Sequence, residues 1–207
     1  MFTQDGQRVE LGEYPMMSVQ DSLDALDSAQ KAFGKGMGVW PQMSVKERIQ
    51  CVEKYVAGMK AHRDEIVNIL MWEICKSKAD ATKEVDRTID YINDTIKELK
   101  NLENQSTHFF HEGGVLAQIR RVPMGVVLCL GPFNYPFNET YTTLFPAILM
   151  GNCVILKTPR TGCMCHIPTL DLFKECFPPG VVNVIHGSGR ETLPPLMEKV
   201  SCLLIFF

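Results

Sequence analysis

Three short and almost entirely apolar runs constrain the fold of this 207-residue chain more than any other feature. They are Val126–Leu130, Cys153–Leu156 and Val181–Ile185, and a glycine or proline follows within three residues of each. Apolar runs separated by helix-length segments are typical of parallel strands that helices cover on both faces. We therefore predict that the three runs are neighbouring parallel strands, and that Leu203–Phe207 begins a fourth.

The amino-terminal half has a different character, because residues 1–104 contain only two of the twelve prolines. A capping box at Ser44–Glu47 precedes apolar residues at three- and four-residue spacing, which predicts an amphipathic helix. Further helices are predicted after Ser18 and over about 63–76 and 78–102. In the second half, helices are predicted over 138–150, 166–176 and about 191–199, with Asn138 as an N-cap.

The predicted fold class is therefore α/β, with an N-terminal helical layer followed by an incomplete, Rossmann-like parallel sheet. Composition excludes several other classes of protein. Hydrophobic residues make up 45% of the chain and charged residues 22%, which excludes a disordered chain. The formal net charge of −3 disfavours a nucleic-acid binder. The apolar runs are far shorter than the roughly 18 residues of a membrane helix, and the N-terminus is polar, so we predict a cytoplasmic protein without membrane partners.

The eight cysteines are predicted to be reduced and mostly buried, because the chain is long and no export signal is visible. Cys163, Cys165 and His166 form a short cluster of potential metal ligands. A second ligand pair at zinc spacing does not accompany them in the sequence. The sequence therefore predicts no metal site and assigns this cluster to packing at a helix start.

Ligands of open parallel sheets bind beyond the carboxyl ends of the strands, and three segments of the chain qualify as candidate sites. In the first, Gly131–Pro136, the side chain of Asn134 is a neutral donor suited to stabilising a developing oxyanion. The alternative is that Asn134 satisfies main-chain groups of its own loop.

The second segment carries two cations. Lys157 can donate to ribose hydroxyls or phosphate, and the planar guanidinium of Arg160 suits a phosphate monoester. The alternative is a solvated basic turn. The third segment, Gly187–Gly189, gives only a weak indication of a phosphate-binding loop, since a glycine pair after a strand is usually a simple turn.

Four motifs, taken in their order, resemble the aldehyde dehydrogenase superfamily. They are Gly-Pro-Phe-Asn-Tyr-Pro at 131–136, Pro-Ala with Gly-Asn at 146–152, Lys-Thr-Pro at 157–159, and Phe-Pro-Pro-Gly-Val-Val-Asn-Val at 177–184. The resemblance covers most of the chain. The motif Phe-Asn-Tyr-Pro-x-Asn-Glu at 133–139 is similar to the corresponding motif of the NADP-dependent, non-phosphorylating glyceraldehyde-3-phosphate dehydrogenases. The resemblance implies oxidation of an aldehyde to a carboxylic acid, with glyceraldehyde 3-phosphate as a candidate substrate.

The resemblance also implies roles for individual residues. Asn134 matches the asparagine whose side-chain amide helps to hold the thiohemiacetal oxyanion, and Lys157 matches the lysine that contacts the adenosine ribose. Arg160 stands where NAD-preferring members often carry glutamate, which favours NADP over NAD. Gly187 and Gly189 match a turn that lines the cofactor cleft. A full-length member is expected to form a homo-oligomer.

The chain also departs from the pattern of the superfamily. The nucleophilic cysteine and the general-base glutamate lie beyond the last strand of this sequence, and none of its eight cysteines stands at the catalytic position. We interpret residues 1–207 as a partial cofactor-binding domain, mainly helical over 1–104 and alternating over 115–207, without the catalytic domain. A truncated gene, a frameshift and a piece of a longer enzyme all fit this interpretation. The alternative function is that of a non-catalytic remnant that binds nucleotide or another dehydrogenase chain.

Overall fold

The amino-terminal half of the protein is helical. The computed structural model describes residues 5–7, 9–199 and 202–205. Serine side chains begin the first and third helices with complete capping boxes, which confirms the predicted starts. The helices of this half are α1 (Val19–Phe33), α2 (Val39–Gln42), α3 (Val45–Ala61), α4 (Arg63–Ile74) and α5 (Lys78–Ser106), with a 3₁₀ turn at Gly34–Gly36.

The second half alternates between strands and helices, as predicted. It opens with a small hairpin of β1 (Phe110–Glu112) and β2 (Val115–Ala117). The elements that follow are β3 (Val126–Leu130), α6 (Asn138–Leu149), β4 (Cys153–Lys157), a 3₁₀ helix at Met164–Thr169, α7 (Leu170–Cys176), β5 (Val182–Ile185), α8 (Gly189–Thr192), α9 (Pro194–Met197) and β6 (Cys202–Ile205).

Four of the described strands form one parallel sheet in the order β5-β4-β3-β6. Strand β4 pairs in parallel with both β3 and β5, which confirms the three predicted neighbouring strands. The fourth predicted strand is also present, because β6 pairs in parallel with β3. The structure places it at Cys202–Ile205, whereas the last two residues of the predicted run lie outside the described residues.

Helices cover the sheet in two groups. Helix α1 packs against β3, β4 and β5 and against the short helices α8 and α9. Helix α6 packs against β3 and β4 and is itself in contact with α3 and α5. Strands β3 and β4 are accordingly buried along almost their whole length, which explains why their sequences are apolar throughout rather than alternating.

A buried aromatic cluster joins the helical half to the sheet half. The ring of Tyr55 on α3 stacks on Phe173, with 4.7 Å between centroids, and contacts Phe145 and Phe177 at 5.1 and 6.0 Å. Its hydroxyl donates a hydrogen bond to the hydroxyl of Tyr141 at 3.1 Å. Aromatic pairs at such distances add to the free energy gained by burying their surface, so this cluster is a main contact between the two halves.

Several predicted boundaries differ from the structure. Phe137 rather than Asn138 is the N-cap of α6, and it makes no side-chain capping bond; Asn138 is the first helical residue. The predicted helix over 166–176 is a 3₁₀ helix followed by α7, and the helix near 191–199 is the separate pieces α8 and α9. Trp72 on the predicted helix over 63–76 is 49% exposed.

The hairpin β1–β2 was not predicted from the sequence. Its residues are exposed on both strands, so there is no buried face to impose an alternating pattern. Two consecutive glycines with positive φ, Gly113 and Gly114, form its turn. No helix among the described residues is long and apolar enough to cross a membrane.

His166 is a titratable side chain next to α6. It is fully buried, and its ring stacks on that of Phe137 and meets that of Tyr141 edge-on. Burial, together with a smaller effect of the nearby His186, lowers the pKa of His166 to about 3. The folded protein therefore holds a neutral imidazole at a pH where the unfolded chain binds a proton.

We predict that His166→Phe reduces the acid sensitivity of the fold. Between pH 6.5 and 4.5 the unfolded imidazole is protonated while the folded one is not, so acidification lowers the free energy of unfolding. In the wild-type protein, His166 should lower the free energy of unfolding by about 2–3 kcal/mol over those two pH units. Urea denaturation followed by circular dichroism at both pH values measures it.

The matched control is His108→Phe, since His108 is exposed in the loop before β1. This variant should keep the full pH dependence of the wild-type chain. An identical pH slope in His166→Phe and in the wild type would contradict the prediction.

Candidate functional site

The carboxyl ends of three strands meet at one edge of the sheet. In the strand register Leu130 lies opposite Lys157, and Lys157 lies opposite Ile185. Main-chain hydrogen bonds continue past the strand ends, from Gly131 N to Lys157 O and from Thr158 N to Ile185 O. The three segments that the sequence indicated as candidate sites are therefore neighbours, as expected for a parallel sheet.

Asn134 lies on the loop that leaves β3, and its side chain is exposed. The loop packs closely against the segment after β4. A Cβ atom at Gly131 would lie 2.9 Å from Cδ of Pro159, and one at Gly162 would lie 2.6 Å from Cβ of Pro136. Glycine at these two positions lets the loops after β3 and β4 touch, which limits where Asn134 can lie.

A buried carboxylate anchors the end of the Asn134 loop. Glu84 on α5 accepts hydrogen bonds from the main-chain N–H groups of Phe137 and Asn138, at 3.0 and 3.1 Å. Its other oxygen pairs with the ammonium of Lys76. A carboxylate at a helix N-terminus satisfies unpaired N–H groups and complements the helix dipole. Glu84 therefore replaces the missing side-chain cap of α6.

Lys76 and a second cation, Arg87, contact the same part of the chain. The ammonium of Lys76 lies 3.6 Å from the ring centroid of Tyr135, the residue next to Asn134. Arg87 donates to Oδ1 of Asn138 at 2.8 Å. Both cations come from the segment of α4–α5 that also carries Glu84. The N-terminal helical layer thus holds the residues on the carboxyl side of Asn134.

Lys157 is almost completely buried, with 6% of its surface exposed. Its Nζ donates to the carbonyl oxygen of Thr158 at 2.6 Å, and burial lowers its pKa, whereas the charge of the Cys163 thiolate would raise it. The structure places this ammonium inside the strand end, so the contact with ribose that the resemblance implies stays a prediction.

Arg160 is exposed three residues beyond β4. None of the described carboxylates lies within ion-pair distance of its guanidinium. The hydroxyl of Tyr14 donates to the Arg160 carbonyl oxygen at 3.0 Å. Arg160 therefore presents a cationic side chain at the edge where the candidate segments meet. Its main chain is held by the hydrogen bond from Tyr14.

The two glycine positions after β5 differ in whether a larger residue would fit there. Gly187 has a φ of +100°, and a Cβ atom there would lie 3.0 Å from the main-chain nitrogen of Met17. Gly189 begins α8, and its nearest neighbour would be the side chain of Leu193 at 3.4 Å. Gly187 is thus needed for main-chain geometry and for the approach of the N-terminal segment, whereas Gly189 faces no comparable restriction.

The sequence did not indicate a polar cluster behind this edge. Nδ1 of His186 lies 2.9 Å from the hydroxyl of Thr158 and 3.1 Å from the thiol of Cys163. Burial lowers the pKa of His186 and raises that of Cys163. The cluster is therefore a neutral hydrogen-bonded group at neutral pH. The position of His186 directly before Gly187 was its only sequence signal, and the partners lie more than 20 residues away.

Six of the seven described thiols are not activated for attack on a carbonyl. All seven cysteines with described side chains are free. Burial raises the pKa of Cys129 and Cys153 to about 12, and it also raises that of Cys51, Cys163, Cys165 and Cys176. Since the thiolate is the nucleophile, these positions are structural. The described residues also contain no group of three or more His, Cys, Asp or Glu that could hold a metal ion.

Comparison with known proteins gives a consistent result. A sequence profile described as the aldehyde dehydrogenase family matches residues 3–207. The NADP-dependent glyceraldehyde-3-phosphate dehydrogenase of Streptococcus equinus is 34% identical over 189 residues, covering 87% of this chain and 38% of that protein. The enzyme of the same name from Triticum aestivum is 29% identical over 180 residues, covering 84% and 35%.

A similar solved structure supports the same grouping. The NADP complex of NADP-dependent glyceraldehyde-3-phosphate dehydrogenase from Bacillus halodurans superposes with a TM-score of 0.83 at 27% identity, covering 95% of this chain and 42% of that one. The chain thus spans about two fifths of the length of these relatives.

We predict that Glu84→Gln destabilises the protein by about 2 kcal/mol. The amide keeps one acceptor for the N–H groups of Phe137 and Asn138, but it leaves the Lys76 ammonium without its buried partner. Amide hydrogen exchange of residues 131–138 should become faster, since a neutral amide oxygen accepts from these N–H groups more weakly than a carboxylate does. Urea denaturation and exchange mass spectrometry measure the two effects.

Glu53→Gln is the matched control, because Glu53 pairs with Lys100 on the surface and is half exposed. It should change the free energy of unfolding by about 0.5 kcal/mol or less. Equal effects of the two substitutions would show that Glu84 does not anchor the loop.

Proposed function

The chain belongs to the aldehyde dehydrogenase family, and we propose that it is the amino-terminal part of an enzyme that oxidises an aldehyde to a carboxylic acid with NADP. The observation that carries the proposal is the meeting of Asn134, Lys157, Arg160 and Gly187 at one sheet edge. Oxidation of glyceraldehyde 3-phosphate to 3-phosphoglycerate is the reaction we propose, because relatives with that name match most of this chain.

Residues of this chain would act by binding and orienting the reactants. The side-chain amide of Asn134 would donate to the oxygen of the aldehyde as it gains negative charge, which lowers the barrier to nucleophilic attack. Its loop is preorganised, because Glu84 anchors the two residues that begin α6. When bound, the nicotinamide supplies a hydride acceptor. The attacking thiolate and the base that activates water would come from other residues of the enzyme.

The charge at the strand ends fits NADP better than NAD. A dinucleotide site that selects NAD usually has a carboxylate that accepts from the ribose 2′-hydroxyl. Here the exposed cation Arg160 follows β4, and a guanidinium can make two parallel hydrogen bonds to a phosphate. The exposed position of Arg160 leaves its side chain accessible to a ligand.

A second candidate function is that of a non-catalytic chain that binds nucleotide or a partner dehydrogenase. The raised pKa values of the buried thiols favour it, because a thiol that stays protonated at neutral pH is not an activated nucleophile. The two functions are distinguished by translating the DNA downstream in all frames. Glu-Leu-Gly-Gly followed by Gly-Gln-x-Cys would support the enzyme, and a genuine stop codon without them would support the non-catalytic chain.

We also propose that the full-length protein is a homo-oligomer. The hairpin β1–β2 supports this, since Phe110, Val115 and Leu116 are each more than half exposed. Exposed apolar side chains grouped on one element mark an interaction surface.

We predict that Arg160→Glu, made in the full-length enzyme, shifts the preference from NADP toward NAD. The substitution removes a guanidinium–phosphate pair and adds a carboxylate that can accept from the ribose hydroxyl. The ratio of kcat/KM for the two cofactors should change by about 1–3 kcal/mol in free energy.

Arg120→Glu is the control, because Arg120 precedes β3 and lies toward the opposite end of the strands. It should leave the ratio unchanged. An unchanged ratio in Arg160→Glu would reject the role of this residue in cofactor choice.

We predict that the 207-residue chain, purified alone, does not oxidise aldehydes. Loss of the nucleophile alone typically costs several powers of ten in rate, and the buried thiols are not activated. The assay measures the absorbance of reduced cofactor with glyceraldehyde 3-phosphate and simple aldehydes, using both NADP and NAD.

We also expect poor solubility, because β6 lies at an open edge of the sheet.

Replacement of each cysteine by serine extends this test. Turnover that survives every replacement would mean that the chemistry does not use a thiolate. Turnover lost with one particular cysteine would identify a nucleophile among residues that we assign to packing. A soluble, monodisperse chain would contradict only the expectation about solubility.

A further inference from the structure

The segment that carries Arg160 is fixed at both ends. Upstream, Thr158 donates its N–H to the Ile185 carbonyl at 3.2 Å, and its hydroxyl lies 2.9 Å from Nδ1 of His186. Downstream, the Glu73 carboxylate on α4 accepts from the N–H groups of residues 162, 163 and 164 at 2.8, 2.9 and 3.0 Å. Three hydrogen bonds from main-chain N–H groups to one carboxylate hold this part of the segment firmly. Arg160 lies between these two anchors.

Tyr14 holds the middle of this segment. Its hydroxyl donates to the Arg160 carbonyl at 3.0 Å, although the two residues are 146 positions apart in sequence. Burial raises the pKa of Tyr14, and the charge of Arg160 opposes that rise. The ring of Tyr14 lies 6.0 Å from that of His186. The aromatic side chain therefore spans the ends of β4 and β5.

We propose that Tyr14 is a positioning residue that determines cofactor specificity, because it aims the guanidinium of Arg160 at the 2′-phosphate of NADP. The proposal rests on the function proposed above. Binding of a phosphate must order both the side chain of Arg160 and the main chain that carries it. A fixed carbonyl at Arg160 sets the direction in which its side chain leaves the main chain. It thereby reduces the ordering that the phosphate must impose.

A purely structural role is the competing explanation for Tyr14. The same N-terminal segment is also anchored by Met17, whose sulfur accepts from the main-chain N–H of His186 at 3.1 Å. In that case the loss of the Tyr14 hydroxyl would weaken the fold, and affinity for all nucleotides would fall together. The positioning role instead predicts a loss confined to ligands with a 2′-phosphate.

The experiment measures the affinity of the full 207-residue chain for two probes by isothermal titration calorimetry. Adenosine 2′,5′-bisphosphate carries the 2′-phosphate, and adenosine 5′-monophosphate lacks it. We expect Tyr14→Phe to weaken binding of the bisphosphate about 3- to 10-fold and to leave binding of the monophosphate unchanged. Tyr91→Phe, which alters an exposed tyrosine on α5, is the control and should change neither.

A double-mutant cycle keeps the proposal testable if Tyr14→Phe lowers stability. In the Arg160→Ala background, Tyr14→Phe should have no further effect on the bisphosphate, because the group that it positions is gone. Additive losses in the double variant, or equal losses for both probes, would overturn the positioning role. If the wild-type chain bound neither probe, the proposed cofactor site itself would fail. If it bound the bisphosphate and Tyr14→Phe bound it equally well, only the role of Tyr14 would fail.

Discussion

The structure depends on how the unpaired main-chain groups at the two ends of α6 are satisfied. At the amino end, the Glu84 carboxylate accepts from two N–H groups. At the carboxyl end, the indole of Trp40 donates to the carbonyl of residue 148, and the guanidinium of Arg48 donates to that of residue 149. An anion at the start and a cation at the end complement the helix dipole. All three side chains belong to the N-terminal helices, so that layer fixes the position of α6 on the sheet.

The same helical layer also fixes the conformation of the loops that form the candidate site. Its loops leave the sheet, but the groups that hold them come from α4, α5 and the N-terminal segment, through Glu73, Glu84 and Tyr14. The sheet sets which loops are neighbours, and the helical layer sets their conformation. Binding residues on loops held in this way need little reorganisation when a ligand arrives.

Much of the fold could be predicted from the sequence, because its signals are local. Apolar runs ended by glycine or proline gave the parallel strands, and Ser18 and Ser44 gave two helix starts. Asn138 shows where such local signals fail. An asparagine at a helix start favours an N-cap, but here Glu84, 54 residues earlier in the chain, accepts from its main-chain N–H. The contacts of Glu84 and Tyr14 that hold the site join residues 53 to 146 positions apart, and no local pattern indicates them. The sequence could therefore indicate which segments form the site, but not what positions them.

The aromatic cluster around Tyr55 has a consequence for the order of events on the ribosome. Its partner Tyr141 lies 86 residues later in the chain, and the carbonyl that Trp40 binds lies 108 residues later. During synthesis, α3 leaves the exit tunnel well before α6 and α7 exist, so the part of its apolar face that packs on these two helices is uncovered. Nascent chains in this interval expose an aromatic surface of the kind that chaperones bind. Burial of Trp40 and Tyr55 can be completed only after Phe177, which contacts both rings, has emerged, so helical layer and sheet complete their folding together.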